Sequence, residues 1–420
     1  MNERVRIGIL GCGNIMRLHH LPRYPQIPEA QVVALCDQDE SRAASARALL
    51  RDRLLRAAHE SELVGQAAEA QRLRDDAGGI TIYTDPAAML EVVDAVDVAT
   101  PPRFHPEHAA MVLAAGRNVL VEKPMARTWW EAAQIRPQVD AGPAFYQHGE
   151  NWIYGPVCQI ARGLVEAGSI GRVQRVQWLQ AHTGPNAFTP YWFSDPLQAG
   201  GGSLTDWGVH SACAAWYVAG LDKRPTHVRS DGIGVRLASR ILGGRLRAMQ
   251  VEDDALIEVT LRDPATGADT LLLVEGTWSR YASHGKPTVV RIEGTRGEIE
   301  IEGSGFGAEE TLHVHTRFLG ERQQHLAPFK TATLLEEAFL HEIRSFCVSA
   351  RDGVEPVVSY EVGLDVMAIL GAGYLSELLK RQAVSLDEFR AWSLETAAAA
   401  PEGQEAETII RKLMAPYQPG

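Results

Sequence analysis

Short apolar runs recur through the first third of the chain, at Val5–Leu10, Gln31–Cys36, Ala95–Thr100, Asn118–Glu122 and Ala144–His148. Their β-branched, nearly continuous hydrophobicity predicts strands buried on both faces, as in a parallel sheet covered by helices. Helical patterns lie between them, over Ser41–Leu55 and His105–Ala115. The order strand, helix, strand predicts a doubly wound α/β layer. The Arg56–Gly79 stretch is rich in Ala, Glu, Gln and Arg and reads as a helical insertion in the second of these units.

Beyond Asn151 the period changes. A helix over Val157–Ala167 runs into Gly168, a residue suited to a left-handed cap. Alternating patterns then mark strands at Arg172–Ala181, Ala255–Leu261, Leu271–Thr277, Thr288–Glu293 and Gly297–Glu302. Together they predict an α/β domain built on a large open sheet, mostly antiparallel. Amphipathic helices follow at Leu334–Ala350 and Glu361–Arg381, then a linker-like Ala397–Ala406 and a short terminal helix or subunit arm at Glu407–Met414. The expected domains are residues 1–148 with the insertion at 56–79, residues 149–392, and a tail at 393–420.

Composition narrows the class. A chain of 420 residues exceeds one small core, which favours two domains. Apolar residues at 45% and charged residues at 22% are ordinary for a folded, soluble chain. No apolar run approaches the roughly 20 residues of a membrane span, and Met1–Arg6 leads directly into a strand, so the expected compartment is the cytoplasm. The formal charge of −12 carries no basic block, which argues against nucleic acid or an anionic membrane and for a small neutral substrate. Five scattered cysteines, with no CxxC pair, read as buried free thiols.

Three segments carry the candidate chemistry. The first strand runs into Gly11-Cys12-Gly13-Asn14-Ile15-Met16, a glycine-rich turn where backbone can approach a pyrophosphate at a helix start. Met16 stands where a third small residue is usual, so the helix is expected to pack slightly farther from the sheet. Asp37, just past the second strand, is placed to accept hydrogen bonds from an adenosine ribose; its charge favours NAD over NADP unless Arg42 turns inward. Lys123 closes the strand Asn118–Glu122 ahead of Pro124, at the sheet edge where ligands of open parallel sheets bind. Finally, Gly200-Gly201-Gly202-Ser203 precedes Asp206 and His210, four residues apart and so on one helical face. A histidine is the natural proton acceptor for alcohol oxidation near neutral pH, and a carboxylate one turn away can orient it or hold a hydroxyl.

In order and spacing, Gly11–Ile15, Thr100–His105, Ala115–Pro124 and Gly200–His210 resemble the glucose–fructose oxidoreductase and inositol dehydrogenase family, Gfo/Idh/MocA. The resemblance implies a Rossmann domain followed by an α/β domain whose open sheet forms a subunit interface, in a homodimer or homotetramer. It implies that the Leu334–Arg381 helices pack back on the first domain. It also implies an NAD(P)-dependent dehydrogenase of a sugar, cyclitol or related polyol. Lys123 matches the lysine of the family's Glu-Lys-Pro motif, and Asp206 and His210 its Asp-x-x-x-His pair. By that match His210 takes the hydroxyl proton, Lys123 polarises the oxygen and Asp206 positions the substrate. Gly11, Gly13, Asn14, Ile15, Asp37, Thr100, Pro101, His105 and Glu122 fall at cofactor positions. The chain departs from its relatives at Met16, at the 56–79 insertion, and at Gly149–Trp152, where many carry an Arg-aromatic pair.

The loop His182–Phe193 mixes aromatics with His and Asn, a lining suited to a polyhydroxylated ring and equally to a packed seal. His182, Trp192, Asn151 and Trp152 are candidate substrate-lining residues. Other readings keep the fold: a redox-assisted glycosidase or lyase using NAD transiently, or a catalytically silent NAD- or sugar-binding protein. A metal hydrolase is disfavoured, because His19/His20, His105/His108 and His313/His315 form pairs without a third ligand or HExxH spacing.

Overall fold

The computed structural model describes residues 4–181, 183–186, 189–279, 288–303, 309–318, 321–330 and 334–418. By internal contacts the chain divides into two units. The first comprises 1–125, 135–151 and 336–361; the second comprises 126–134, 152–335 and 362–420.

In the first unit six strands form a parallel sheet: β1 Val5–Leu10, β2 Ala30–Cys36, β3 Thr81–Tyr83, β4 Ala95–Val98, β5 Asn118–Glu122 and β6 Tyr146–Gly149. Their spatial order is β3-β2-β1-β4-β5-β6. The chain reverses its direction of travel between β1 and β4, the crevice at which doubly wound sheets bind ligands. The strands are buried on both faces because helices cover both. Ile7, Ile9, Ala95, Val96, Val98, Val119 and Val121 are all fully enclosed. The helix Leu334–Asp352 belongs to this unit for a plain reason: Ile343, Phe346 and Cys347 share one apolar cluster with Ile7, Ile9 and Leu35.

The 56–79 segment is two helices. The first helix runs unbroken over Glu40–Leu63, capped by Asp39 accepting from the Ser41 N–H, and the second spans Ala67–Gly78. Leu54, Ala58, Ala70, Leu73 and Ala77 bury their side chains in the same cluster as the sheet. The insertion therefore extends the core of the unit.

The second unit is built on a mixed sheet. Its strands are β7 Val173–Ala181, β8 Arg224–Gly234, β11 Asp254–Arg262, β12 Asp269–Thr277, β13 Thr288–Gly294, β14 Gly297–Gly303, β15 Glu309–Phe318, β16 Glu321–Lys330 and β17 Val384–Ser385. Their order is β16-β15-β14-β13-β7-β12-β11-β8-β17, with only β7 and β12 parallel among the pairings. A separate hairpin, β9 Ser239–Leu242 and β10 Arg245–Ala248, stands outside that sheet. One sheet face is buried: Val176, Trp178, Ile257, Val259, Leu272 and Val274 are inaccessible. The nearly all-apolar helix Val209–Ala219 packs within this unit and buries ten of its residues, as a helix apolar all round must.

Two sequence expectations are corrected here. The helix Tyr360–Leu378 falls almost wholly in the second unit, where Tyr374 and Ser376 bond to Glu252 and the Ser230 N–H. In the tail the terminal helix is present, whereas the linker expected at Ala397–Ala406 is reduced to a turn between two helices. Helices Leu386–Ala398 and Glu405–Met414 are joined by a short turn, and Ile409, Ile410, Leu413 and Met414 are buried against their own unit. An arm that left for a partner would expose these four side chains. Among the described residues no helix is long and apolar enough to cross a membrane.

Candidate functional site

In the first unit the candidate residues gather at the carboxyl ends of β1, β2, β4 and β5. Gly11 leaves β1 at φ 93°, and a Cβ there would meet Thr100 Cγ2 at 2.7 Å and the Ala99 carbonyl oxygen at 2.9 Å. Only glycine fits this turn. At Gly13 the reverse holds: an added Cβ would meet nothing within 4 Å. The loop is thus pinned on its sheet side and open on the other, with Asn14 and Ile15 exposed where the helix begins. Met16 is fully buried, and the helix widens to i→i+5 bonding over Met16–His20, with the Leu21 N–H reaching the Met16 carbonyl at 2.9 Å.

Asp37 is nearly buried, and its carboxylate is already oriented. Oδ2 accepts the Cys12 N–H and Oδ1 the Asp39 N–H, both at 2.9 Å. Burial, with the Asp37 charge second, pushes the Cys12 thiol up to about 12, so this loop cysteine stays a neutral packing residue. Arg42 turns outward to pair with Asp39 at 3.3 Å and leaves Asp37 uncompensated by it.

Next along the edge, Lys123 is half-buried, joined by a cis peptide to Pro124, and its N–H donates to Glu122 Oε2 at 2.9 Å. Glu122 Oε1 lies 3.0 Å from His20 Nε2, and the other ring nitrogen of His20 lies 2.9 Å from Asp97 Oδ2, which also accepts the Tyr24 hydroxyl. Burial alone lowers the His20 pKa, but Asp97 and Glu122 together outweigh it and hold the ring charged. Sequence reasoning missed this bridge, although His20 follows directly from the glycine loop.

His105 is placed behind the site. It is 1% exposed, with one ring nitrogen 2.8 Å from the Pro124 carbonyl and the other 2.6 Å from the Thr100 carbonyl. The ring ties the Thr100–Pro101 turn to the Lys123–Pro124 turn. Burial lowers its pKa.

In the second unit Asp206 and His210 sit where a widened turn, Leu204–Gly208, passes into the helix Val209–Ala219. The start of this segment is held by a fully buried carboxylate. Glu252 accepts the Gly202 N–H at 3.0 Å, the Leu204 N–H at 2.9 Å and the Tyr374 hydroxyl at 2.7 Å. Gly202 allows that approach, since a Cβ there would lie 1.9 Å from the Glu252 carbonyl oxygen. Burial raises the Glu252 pKa to about 7 in spite of its three donors.

Aromatic rings flank the pair. Trp152 and Trp207 stand 6.1 and 6.0 Å from the His210 ring. Trp278 donates its indole N–H to Asp206 Oδ2 at 3.0 Å and stacks on Phe193, which in turn touches Trp192. Trp278, Phe193 and Glu252 were not singled out from the sequence. Trp278 follows an apolar strand, and Glu252 opens the acidic run Glu252-Asp253-Asp254, which carries no signal of burial. Trp192 thus connects to Asp206 through two intervening rings. Asn151 is buried in the first unit, and His182 lies outside the described residues. Among the described residues no group of three or more His, Cys, Asp or Glu side chains is arranged to hold a metal ion.

Comparison with known proteins matches two successive segments of the chain. An oxidoreductase family with an NAD-binding Rossmann fold matches residues 5–139, and the GFO/IDH/MocA C-terminal domain matches residues 158–300. The chain belongs to the Gfo/Idh/MocA family. Within it, the D-apiose dehydrogenase of Paraburkholderia graminis is 27% identical over 399 residues, 89% of this chain and 88% of that protein. The D-glucoside 3-dehydrogenase of Escherichia coli is 28% identical over 221 residues, so the match spans 52% of this chain and only 54% of that relative. The solved structure of a levoglucosan dehydrogenase in complex with NADH shares the fold at a TM-score of 0.70 and 19% identity, covering 91% of this chain and 99% of that one.

Proposed function

We propose that this Gfo/Idh/MocA chain is an NAD-dependent dehydrogenase that oxidises a hydroxyl of a sugar, cyclitol or related polyol. The observation that carries the reading is the glycine loop of the first unit: pinned at Gly11, open above Gly13, and held against an oriented Asp37 carboxylate. Those residues fit a dinucleotide. Gly11, Gly13, Asn14 and Ile15 would hold its pyrophosphate, Asp37 its adenosine ribose, and Thr100, Pro101 and Glu122 its nicotinamide side, with His105 fixing the last two turns. When bound, the nicotinamide supplies the hydride acceptor. NAD is favoured because a 2′-phosphate would face the Asp37 carboxylate with no cation offsetting it from Arg42.

The protein's own groups handle the proton and the oxygen. The Lys123 ammonium donates to the reacting oxygen and stabilises its developing charge. His210 Nε2 or Nδ1 takes the hydroxyl proton, and Asp206, oriented by Trp278, accepts from a neighbouring hydroxyl. Relatives that act on a D-glucoside, D-apiose or levoglucosan support the substrate class. We also propose a cytoplasmic homo-oligomer associated through the second unit's open sheet face.

The test is nicotinamide absorbance with NAD and a panel of methyl glucosides, D-apiose, levoglucosan and inositols, assayed in parallel for glycoside cleavage. Growth of NADH with one of them is expected. Lys123→Ala and His210→Ala should each lower kcat/KM at least a hundredfold while NADH still binds. Cleavage without net NADH points instead to a redox-assisted glycosidase. Silence on every substrate with NADH bound leaves a binding protein, and near-normal turnover in either variant removes that residue from the mechanism.

A further inference from the structure

The hairpin β9–β10 belongs to neither large sheet, yet it is fastened to the aromatic segment that leads to Asp206. Arg240 at its base is the fastening point. Its side chain is 8% exposed and pairs with the fully buried Asp253 at 3.1 Å. The same guanidinium donates to the Thr183 carbonyl and to the Trp278 carbonyl, each at 2.8 Å. One side chain thus joins the 183–193 loop, the end of β12 and the residue beside Glu252. A second contact lies farther out: the Arg247 guanidinium sits 4.2 Å above the Tyr191 ring. A third is the Gly243 N–H donating to the Thr189 carbonyl at 3.2 Å.

What this fastening holds is specific. Gly184 approaches Trp278 so closely, at φ 70°, that a Cβ would lie 2.5 Å from the Trp278 Cβ. Phe193 stacks on Trp278 with ring centres 5.5 Å apart. Trp278 in turn grips Asp206, and its own N–H donates to the Asp253 carbonyl at 2.7 Å. Arg240 therefore bonds to both the loop carrying Phe193 and the residue carrying the Asp206 hydrogen bond. A guanidinium suits this task because its fork reaches several acceptors from one rigid plane.

We propose that Arg240 is a specificity-determining positioning residue: through the β9–β10 hairpin it sets the aromatic wall of Phe193 and Trp278 beside Asp206, and so selects which polyhydroxylated ring is accepted. This deepens the proposed dehydrogenase function and rests on it. Aromatic faces beside a carboxylate match the apolar C–H face and polar edge of a sugar or cyclitol ring. Small open-chain polyols make little use of such a wall.

The test uses the full chain and three variants: Arg240→Gln, Arg247→Ala and Trp278→Phe. Arg240→Gln leaves Asp253 without its charge partner and risks misfolding. Arg247→Ala touches only the outer contact and keeps the question answerable. Two readouts are taken. The first is the indole N–H NMR signal of Trp278, assigned by its loss in Trp278→Phe and followed in the other variants; it needs no substrate. The second is the ratio of kcat/KM for levoglucosan or an inositol to that for glycerol, with NADH affinity as control. The expected result is a displaced Trp278 signal in Arg240→Gln and a tenfold or larger fall in the ratio, with a smaller fall in Arg247→Ala and unchanged NADH affinity. An unmoved Trp278 signal, or rates that fall equally for rings and glycerol, overturns the proposal. A displaced signal in an enzyme that turns over no polyol keeps the fastening and overturns the polyol reading instead.

Discussion

At the residue scale, Asp37 shows how position and local bonding divide the work. Its place after β2 was readable from the sequence, but its orientation was not. The structure shows both carboxylate oxygens already taking backbone N–H groups, one of them from the glycine loop itself. Asp37 therefore shapes the loop as well as standing where we propose that the ribose binds. Asp37→Asn keeps the acceptor oxygen and removes the charge, whereas Asp37→Ala removes both. We expect Asp37→Asn to narrow the NAD over NADP preference tenfold or more while retaining most NADP turnover. Asp37→Ala should weaken both cofactors, because the Cys12 N–H loses its buried partner. Steady-state KM values for the two cofactors check this, and an unchanged ratio in Asp37→Asn means that Asp37 does not read the ribose.

At the scale of elements, the strands most legible in the sequence were those with clean burial patterns. Val5–Leu10 and Asn118–Glu122 match to the residue because each is mainly apolar, with Arg6 the one exposed position in the first and polar residues only at the ends of the second. By contrast β8 carries Arg224, His227, Arg229 and Asp231, and the β9–β10 hairpin carries three arginines, Arg240, Arg245 and Arg247. Charge on an outward face hides the alternation, and no motif announces a hairpin whose role is to hold a neighbour. The same applies to the widened turn at Leu204–Gly208: Asp206 and His210 were readable as one face of a helix, but the buried Glu252 that holds its start was not. That carboxylate has a measurable signature. Its folded pKa of about 7 lies above the ordinary 4.5, so the folded state binds a proton more tightly than the unfolded chain. The associated stability is fully present below about pH 4.5 and is lost as pH rises through 7, to a total of about 3 kcal/mol. Denaturation at pH 5 and pH 8 should show this fall for the native chain and a flatter profile for Glu252→Gln. Equal slopes for the two proteins rule out Glu252 as the titrating group.

For the whole molecule, the remaining question is what the second unit does with the far side of its sheet. Val176, Trp178, Ile257, Val259, Leu272 and Val274 face inward, so Leu179, Leu256, Leu271 and Leu273 share the opposite face with Arg175, Gln177 and Glu258. Register interleaves these leucines with polar side chains: Leu271 pairs with Arg175 and Thr260, Leu273 with Gln177 and Glu258, and Leu179 and Leu256 both with the buried Glu275. An antiparallel face can remain in water, but it is then usually polar at every outward position. Four outward leucines interleaved with polar and charged side chains form the mixed pattern of an interface between copies. A second copy of this chain suits it, because the same patch placed against itself can pair Arg175 with Glu258. Light scattering should therefore give a mass of at least twice 45.9 kDa. Leu273→Arg should return the mass to that of one chain, since it replaces a central outward leucine by a cation on both copies. NADH affinity should survive this change, because the glycine loop lies in the other unit. A native chain of single mass, or an assembly indifferent to Leu273→Arg, removes this face as the contact between copies.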